Sequence, residues 1–138
     1  MSDDVIRKIK TAHRSILETI DQLQINLRNY HQAKPMIREL HLKLMAHFGQ
    51  QDHSLFVPLK DYYSKERTSV KMIEFLEFDL REIKVRLLVF YDQHSGELGD
   101  TNASSFPRDF ADFSGLILGR ISMEEKYLIP LLEKLPLS

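Results

Sequence analysis

The side chains of this chain best suited to chemistry are polar groups that fall on otherwise apolar helical seams: His13, His47, Gln51 and Glu124. Three of the four are metal-ligand types. Two imidazoles and a carboxylate make an N/O donor set suited to Fe(II) or Zn(II). The same groups can instead satisfy one another as a buried hydrogen-bond network. Energetics demands one arrangement or the other. A neutral polar group buried without a partner costs about 1–3 kcal/mol, and an unpaired charge several kcal/mol.

Two stretches of the sequence resemble each other. The segment His47 to Leu59 and the segment Arg120 to Leu131 both end in an apolar run with a proline. Aligned on Leu55 and Leu128, His47 falls on Arg120, Gln51 on Glu124, and Asp52 on Glu125. Carboxylate sites in helical bundles use a histidine and a carboxylate about one turn apart, because that spacing aims both at the same interior point. Each half here keeps one member of the pair: His47 with an amide at 51, and Glu124 with an arginine at 120. An acid–base pair of His47 and Glu124 is the one enzymatic reading. No nucleophile, phosphate loop or glycine motif accompanies it, so the chain is not expected to be an enzyme.

The elements that must carry these residues follow from three–four apolar spacing. A first helix is predicted from about Asp3 to Tyr30, with His13 on its seam. His31 to Lys34 read as a turn, and Pro35 opens a second helix to about Tyr62, where Pro58 tightens the last turns. A third helix is predicted from about Ser69 to His94, on the seam Ile73, Leu76, Leu80, Ile83, Leu87, Phe90 and His94. Asp79 sits at the edge of that stripe, and His94 at a helix end where water reaches it. Ser95 to Ser105 read as the one long loop. Pro107 opens a fourth helix, with Glu124 on its seam and Pro130 near its end. The expected fold is all-α, an antiparallel up-down four-helix bundle forming a single domain over residues 1–138.

Nineteen basic and twenty acidic residues are interspersed, with no polybasic block. Neither nucleic acid nor a membrane is expected as a partner. The absence of cysteine removes disulfides and thiolate metal sites. The acidic start, MSDDVIRK, does not read as a signal peptide, and no apolar run approaches membrane-spanning length, so a cytoplasmic location is expected.

Three stretches, AHRSI around His13, LHLKLMAHFGQQDHSLFVPL in helix two and GRISMEEKYLIPLLEK in helix four, resemble the hemerythrin-like (HHE cation-binding) family. The resemblance spans the chain helix by helix. It implies a metal centre supplied by a histidine on helix one, a histidine and a glutamate four residues later on helix two, one or two histidines on helix three, and a histidine followed by an acid on helix four. His13 and His47 match. Gln51 replaces the glutamate. The aligned part of helix three, EFLEFDLREIK, has no histidine, and Asp79 is the nearest replacement. Arg120 replaces the histidine of helix four, while Glu124 and Glu125 keep the acidic positions. A di-iron centre is therefore not expected. The echoes His47-Phe48, Phe90-Tyr91-Asp92 and Glu124-Glu125-Lys126 give a fainter similarity to bacterial anti-sigma regulators of the regulator-of-sigma-D kind.

Two functional readings follow. In the first, the chain is a non-catalytic regulatory or interaction protein without a cofactor. Arg120 and Glu124 then form an internal ion pair, and Gln51 and the histidines fill the remaining hydrogen bonds. In the second, it is an iron or oxygen sensor or storage module. A single Fe or Zn is then held by His13, His47 and Glu124, with Asp79 or water completing the shell. Phe75, Phe78 and Val85 lie on the side of helix three away from its seam. They mark either a surface for a protein partner or homodimer, or one covered by the loop after His94. His31, His41 and His53 read as surface or cap residues, Glu82 and Arg86 as a solvated helix pair, and Tyr62 and Tyr63 as closing the bundle end.

Overall fold

A computed structural model describes residues 2–95 and 103–136, and within them all side chains but those at 2, 52 and 53. The sequence-predicted placements of Asp52, His53 and the loop at 96–102 lie outside the described residues. Helix α1 spans Ser2–Ile25, α2 Tyr30–Tyr62 and α3 Arg67–His94. A short 3-10 turn, Ala103–Ser105, leads into α4, Phe106–Met123. A π-helical turn, Glu124–Leu128, joins α4 to α5, Ile129–Glu133. The α4–π–α5 run is the fourth helix of the bundle. The expected all-α bundle is the observed one.

Each helix exists because one stripe is apolar. Ile9, Ile16, Ile20 and Leu23 of α1, and Ile37, Leu40 and Leu44 of α2, are buried against the stripes of their neighbours. Each such side chain contributes about 1.5–3 kcal/mol of apolar burial. Helix α1 packs on α2, α2 on α3, α3 on α4, and α5 returns to α1, which closes the ring. Lys43 of α2 pins the first pair, its Nζ donating to Thr19 Oγ1 at 2.6 Å and to the Ser15 carbonyl at 3.2 Å. Tyr63 closes one end, as expected, with its hydroxyl on the Leu131 carbonyl at 2.6 Å. Tyr62 remains half exposed. At the other end Phe90 stacks on Phe113 at 4.4 Å. No helix among the described residues is long and apolar enough to cross a membrane.

Two sequence expectations are corrected, and one feature is new. The first turn is at 26–29, not 31–34, and α2 starts at Tyr30, ahead of Pro35. The cause is Asn29, whose side chain accepts the Gln32 N–H and caps the helix there. Tyr30 therefore belongs to α2 rather than to the seam of α1. His94 is wholly buried rather than reached by water. Its Nε2–H donates to Asp109 Oδ2 at 2.9 Å, and the Tyr30 hydroxyl donates to its carbonyl at 3.0 Å. Finally, the fourth helix is not uniform. Ile129 N–H bonds the Glu124 carbonyl five residues back. The next residue, Pro130, has no N–H to continue an α-ladder. Among the lesser assignments, His41 is half-buried and stacked on Tyr91 at 3.9 Å, with burial pulling its pKa down. Glu82 and Arg86 are exposed and do not pair with each other.

Candidate metal centre

Helices α1 and α2 and the π-helical turn of the fourth helix bring His13, His47 and Glu124 together in the core, all three buried. One ligand atom from each lies within 4.8 Å of the other two. Both histidines point Nε2 at the same oxygen, Glu124 Oε1, His13 from 2.6 Å and His47 from 2.8 Å. The two rings meet edge to face at 4.9 Å. Helical geometry explains the convergence. Each residue occupies a seam position at similar height, and side chains on facing seams have only one another to meet.

The other nitrogen of His13, Nδ1, lies 2.8 Å from Glu125 Oε2. With a carboxylate on each side, both ring nitrogens act as donors, which is the imidazolium form. Burial alone lowers the His13 pKa. The hydrogen bond and charge of Glu124, and then those of Glu125, outweigh it and raise the pKa above its ordinary 6.5. His47 Nε2 lies 3.2 Å from the Gln51 amide nitrogen as well as 2.8 Å from Glu124. One nitrogen cannot both donate to the carboxylate and accept from the amide, and the shorter, charged contact decides the proton.

Arg120 fills the other half of the site. Its Nε donates to Glu124 Oε2 at 2.7 Å, Nη1 to the Leu76 carbonyl at 2.8 Å and to Asp79 Oδ2 at 3.1 Å, and Nη2 to Gln51 Oε1 at 3.3 Å. The guanidinium is wholly out of water. Glu124 thus carries His13 and His47 on one oxygen and Arg120 on the other. Burial pushes its pKa up, but the hydrogen bonds of both histidines, with the charges of His47 and Arg120, hold it well below the usual carboxylate range.

All six sequence-predicted residues, His13, His47, Gln51, Asp79, Arg120 and Glu124, join one connected network. Asp79 enters it through Arg120 rather than through the three-residue ligand cluster. Two members had escaped the sequence reading. Glu125 reads in the sequence only as an acidic position, and its contact with His13 is the kind that orients a ligand histidine. The Leu76 carbonyl, a backbone acceptor, has no sequence signal.

A family model for the hemerythrin HHE cation-binding domain matches residues 4–132. The chain belongs to this family. No curated protein and no solved structure matches it, and nothing in these comparisons supports the fainter similarity to anti-sigma regulators. As an HHE domain, the chain is built on a metal-binding scaffold, and the cluster of His13, His47 and Glu124 is its potential metal site. These donors fit one ion by type and proximity. A second ion does not fit this HHE domain. On that side of Glu124 stands a guanidinium that keeps its charge at any physiological pH. Gln51, in place of a bridging anion, offers a neutral carbonyl that Arg120 already uses.

Proposed function

We propose that this HHE domain is a non-catalytic regulatory or interaction module in which an internal cation, Arg120, takes the place of the family's dinuclear metal charge. The single observation that carries this reading is the set of four acceptors around the buried guanidinium: Glu124, Asp79, Gln51 and the Leu76 carbonyl. A buried guanidinium with an acceptor on each of its three nitrogens is held in place and repels an incoming cation. The network then organises the middle of the bundle, as the metal does in a loaded relative, and leaves the outer faces free for recognition. The test is elemental analysis of protein purified without chelator. Iron, zinc and manganese well below one equivalent are expected, and a full equivalent of any of them would overturn the reading.

A second reading is favoured by one observation, the contact of Glu125 with His13 Nδ1. It orients His13 as carboxylates orient ligand histidines in metal sites. In that reading a single Fe(II) or Zn(II), held by His13, His47 and Glu124, supplies positive charge and Lewis acidity to a sensor or storage site. The chain's own task is then to hold both Nε2 atoms free of protons, with Glu125 taking the Nδ1–H of His13. Saturable uptake of one equivalent on anaerobic titration, abolished in His47→Ala, would favour this reading over the first.

A further inference from the structure

The outer face of α3 is the most apolar exposed surface among the described residues. Phe75, Phe78, Val85, Leu88 and Val89 are each 48–58 % exposed. Met45 of the neighbouring α2, 47 % exposed, borders Leu88 on the same side of the bundle. Half-exposed side chains of this size leave on the order of 100 Å² each in water. The face thus presents roughly 600 Å² of apolar surface, at the upper limit for a monomer. A standard interface takes about 800 Å² per partner, and the apolar face supplies most of that.

We propose that this face binds a second copy of the chain, with the two α3 helices packed antiparallel about a two-fold axis. The inference deepens the interaction reading above, on which it rests, by naming the partner. The pattern along α3 is self-complementary. Phe75 and Phe78 lie toward one end and Val85, Leu88 and Val89 toward the other, with Arg81 and Glu82 between them. An antiparallel crossing that sets Phe78 of each copy against Val89 of the other brings Glu82 of each to within one residue's rise, about 1.5 Å along the axis, of Arg86 of the other. On one helix, Glu82 and Arg86 are four apart, the spacing of a favourable pair. Both are exposed and, among the described residues, neither has an ion-pair partner. The two-fold supplies each with one.

The same register carries Phe75 toward the groove between α3 and α4 of the other copy. That groove is an open depression of about 230 Å³, lined half by Val89, Phe90, Phe113 and Leu116 and half by polar side chains. A closed two-fold of this kind buries both apolar faces at once and leaves none open to propagate a filament.

The experiment is sedimentation of the full chain over a range of concentrations, with circular dichroism on every variant. The native protein should show a reversible dimer. Phe78→Glu should weaken it by at least about tenfold, with helical content unchanged, because the side chain is exposed in the monomer. Glu82→Arg alone and Arg86→Glu alone should each weaken the dimer, since each places like charges opposite one another. The double exchange should restore it. A native chain that stays monomeric at the highest concentration reached would overturn the proposal. So would a dimer indifferent to Phe78→Glu, or charge variants whose combination does not recover. These outcomes are separable from those of the metal analysis. A metal-free monomer removes the dimer and leaves the interaction reading with a foreign partner. A stoichiometric metal removes that reading whatever the dimer does.

Discussion

Arg120 and Glu124 stand one turn apart on the fourth helix, joined by a 2.7 Å bond from Nε to Oε2, with both side chains entirely out of water. Everything else in the core network is arranged around this pair. The carboxylate's second oxygen takes the two histidines, and the guanidinium's remaining donors take Asp79, Gln51 and a backbone carbonyl. A buried pair of this kind is expensive to assemble and more expensive to break.

Deleting Arg120 therefore tests the network directly. Arg120→Ala leaves Glu124 buried with only histidine partners and leaves the Leu76 carbonyl without its donor. The expected loss is about 3–5 kcal/mol of unfolding free energy, the range for removing one partner of a buried pair. Arg120→Lys should recover only part of it, because one ammonium cannot reach four acceptors spread around a planar fork. Urea denaturation of the three proteins is the measurement. A loss of under about 1 kcal/mol for Arg120→Ala, the level of an exposed pair, would show that the pair does not organise the core.

A second polar pair, at the far end of the bundle and only part-buried on its carboxylate side, gives a prediction in pH. His94 is fully buried, and its Nε2–H is held by Asp109, which also accepts from Ser105 at 2.9 Å. Burial raises the Asp109 pKa, but the hydrogen bonds of His94 and Ser105, then the charges of His94 and Arg108, bring it below the ordinary 3.8. A carboxylate whose folded pKa is depressed stabilises the fold above its unfolded pKa and loses that contribution as pH falls through the folded one. The native protein should thus lose melting temperature in the acid limb below about pH 4. Asp109→Asn should start about 1–3 kcal/mol less stable at neutral pH, with His94 poorly matched, and show a shallower acid limb. Parallel acid limbs for the two proteins would remove the assignment.

The helices were legible because their cores are periodic. A seam such as Ile73, Leu76, Leu80, Ile83, Leu87 and Phe90 has one face to bury, and all six are buried. The pairing of Arg120 with Glu124 was legible for the same reason, since four residues along a seam is one turn. The start of α2 was misread because two local signals competed. Pro35 suits a first turn, but the side chain of Asn29 caps the helix earlier. The apolar spacing put His94 on the buried stripe, but its complete burial at the helix end was not legible. Its partners, Tyr30 and Asp109, lie 64 and 15 residues away in sequence and meet it only through the packing of α2, α3 and α4. The π-turn likewise depends on tertiary fit, which lets Glu124 and Leu128 both face the core while Glu125 reaches back to His13.

The strongest test of why this HHE domain differs from its family pattern is to restore the pattern. Arg120→His with Gln51→Glu removes the fixed cation and supplies two ligands, each one turn from a residue already in the cluster. His13, His47, Glu124 and the two new side chains would then converge from three helices. The set is N/O throughout, which suits Fe(II) and Zn(II). It also carries one more carboxylate than the native site and no arginine to repel the ion. The double variant should bind a first-row metal with higher affinity than the native chain, and the bound metal should raise its melting temperature in proportion to ligand excess. Without metal it should be less stable than the native chain, because two carboxylates then face each other without Arg120. Each single variant should fall short: Gln51→Glu keeps the cation, and Arg120→His lacks the added anion. The readouts are elemental analysis and thermal shift during anaerobic titration with Fe(II), repeated with Zn(II). If the double variant and the native chain take up metal equally, then Arg120 is not what sets the metal affinity of this bundle.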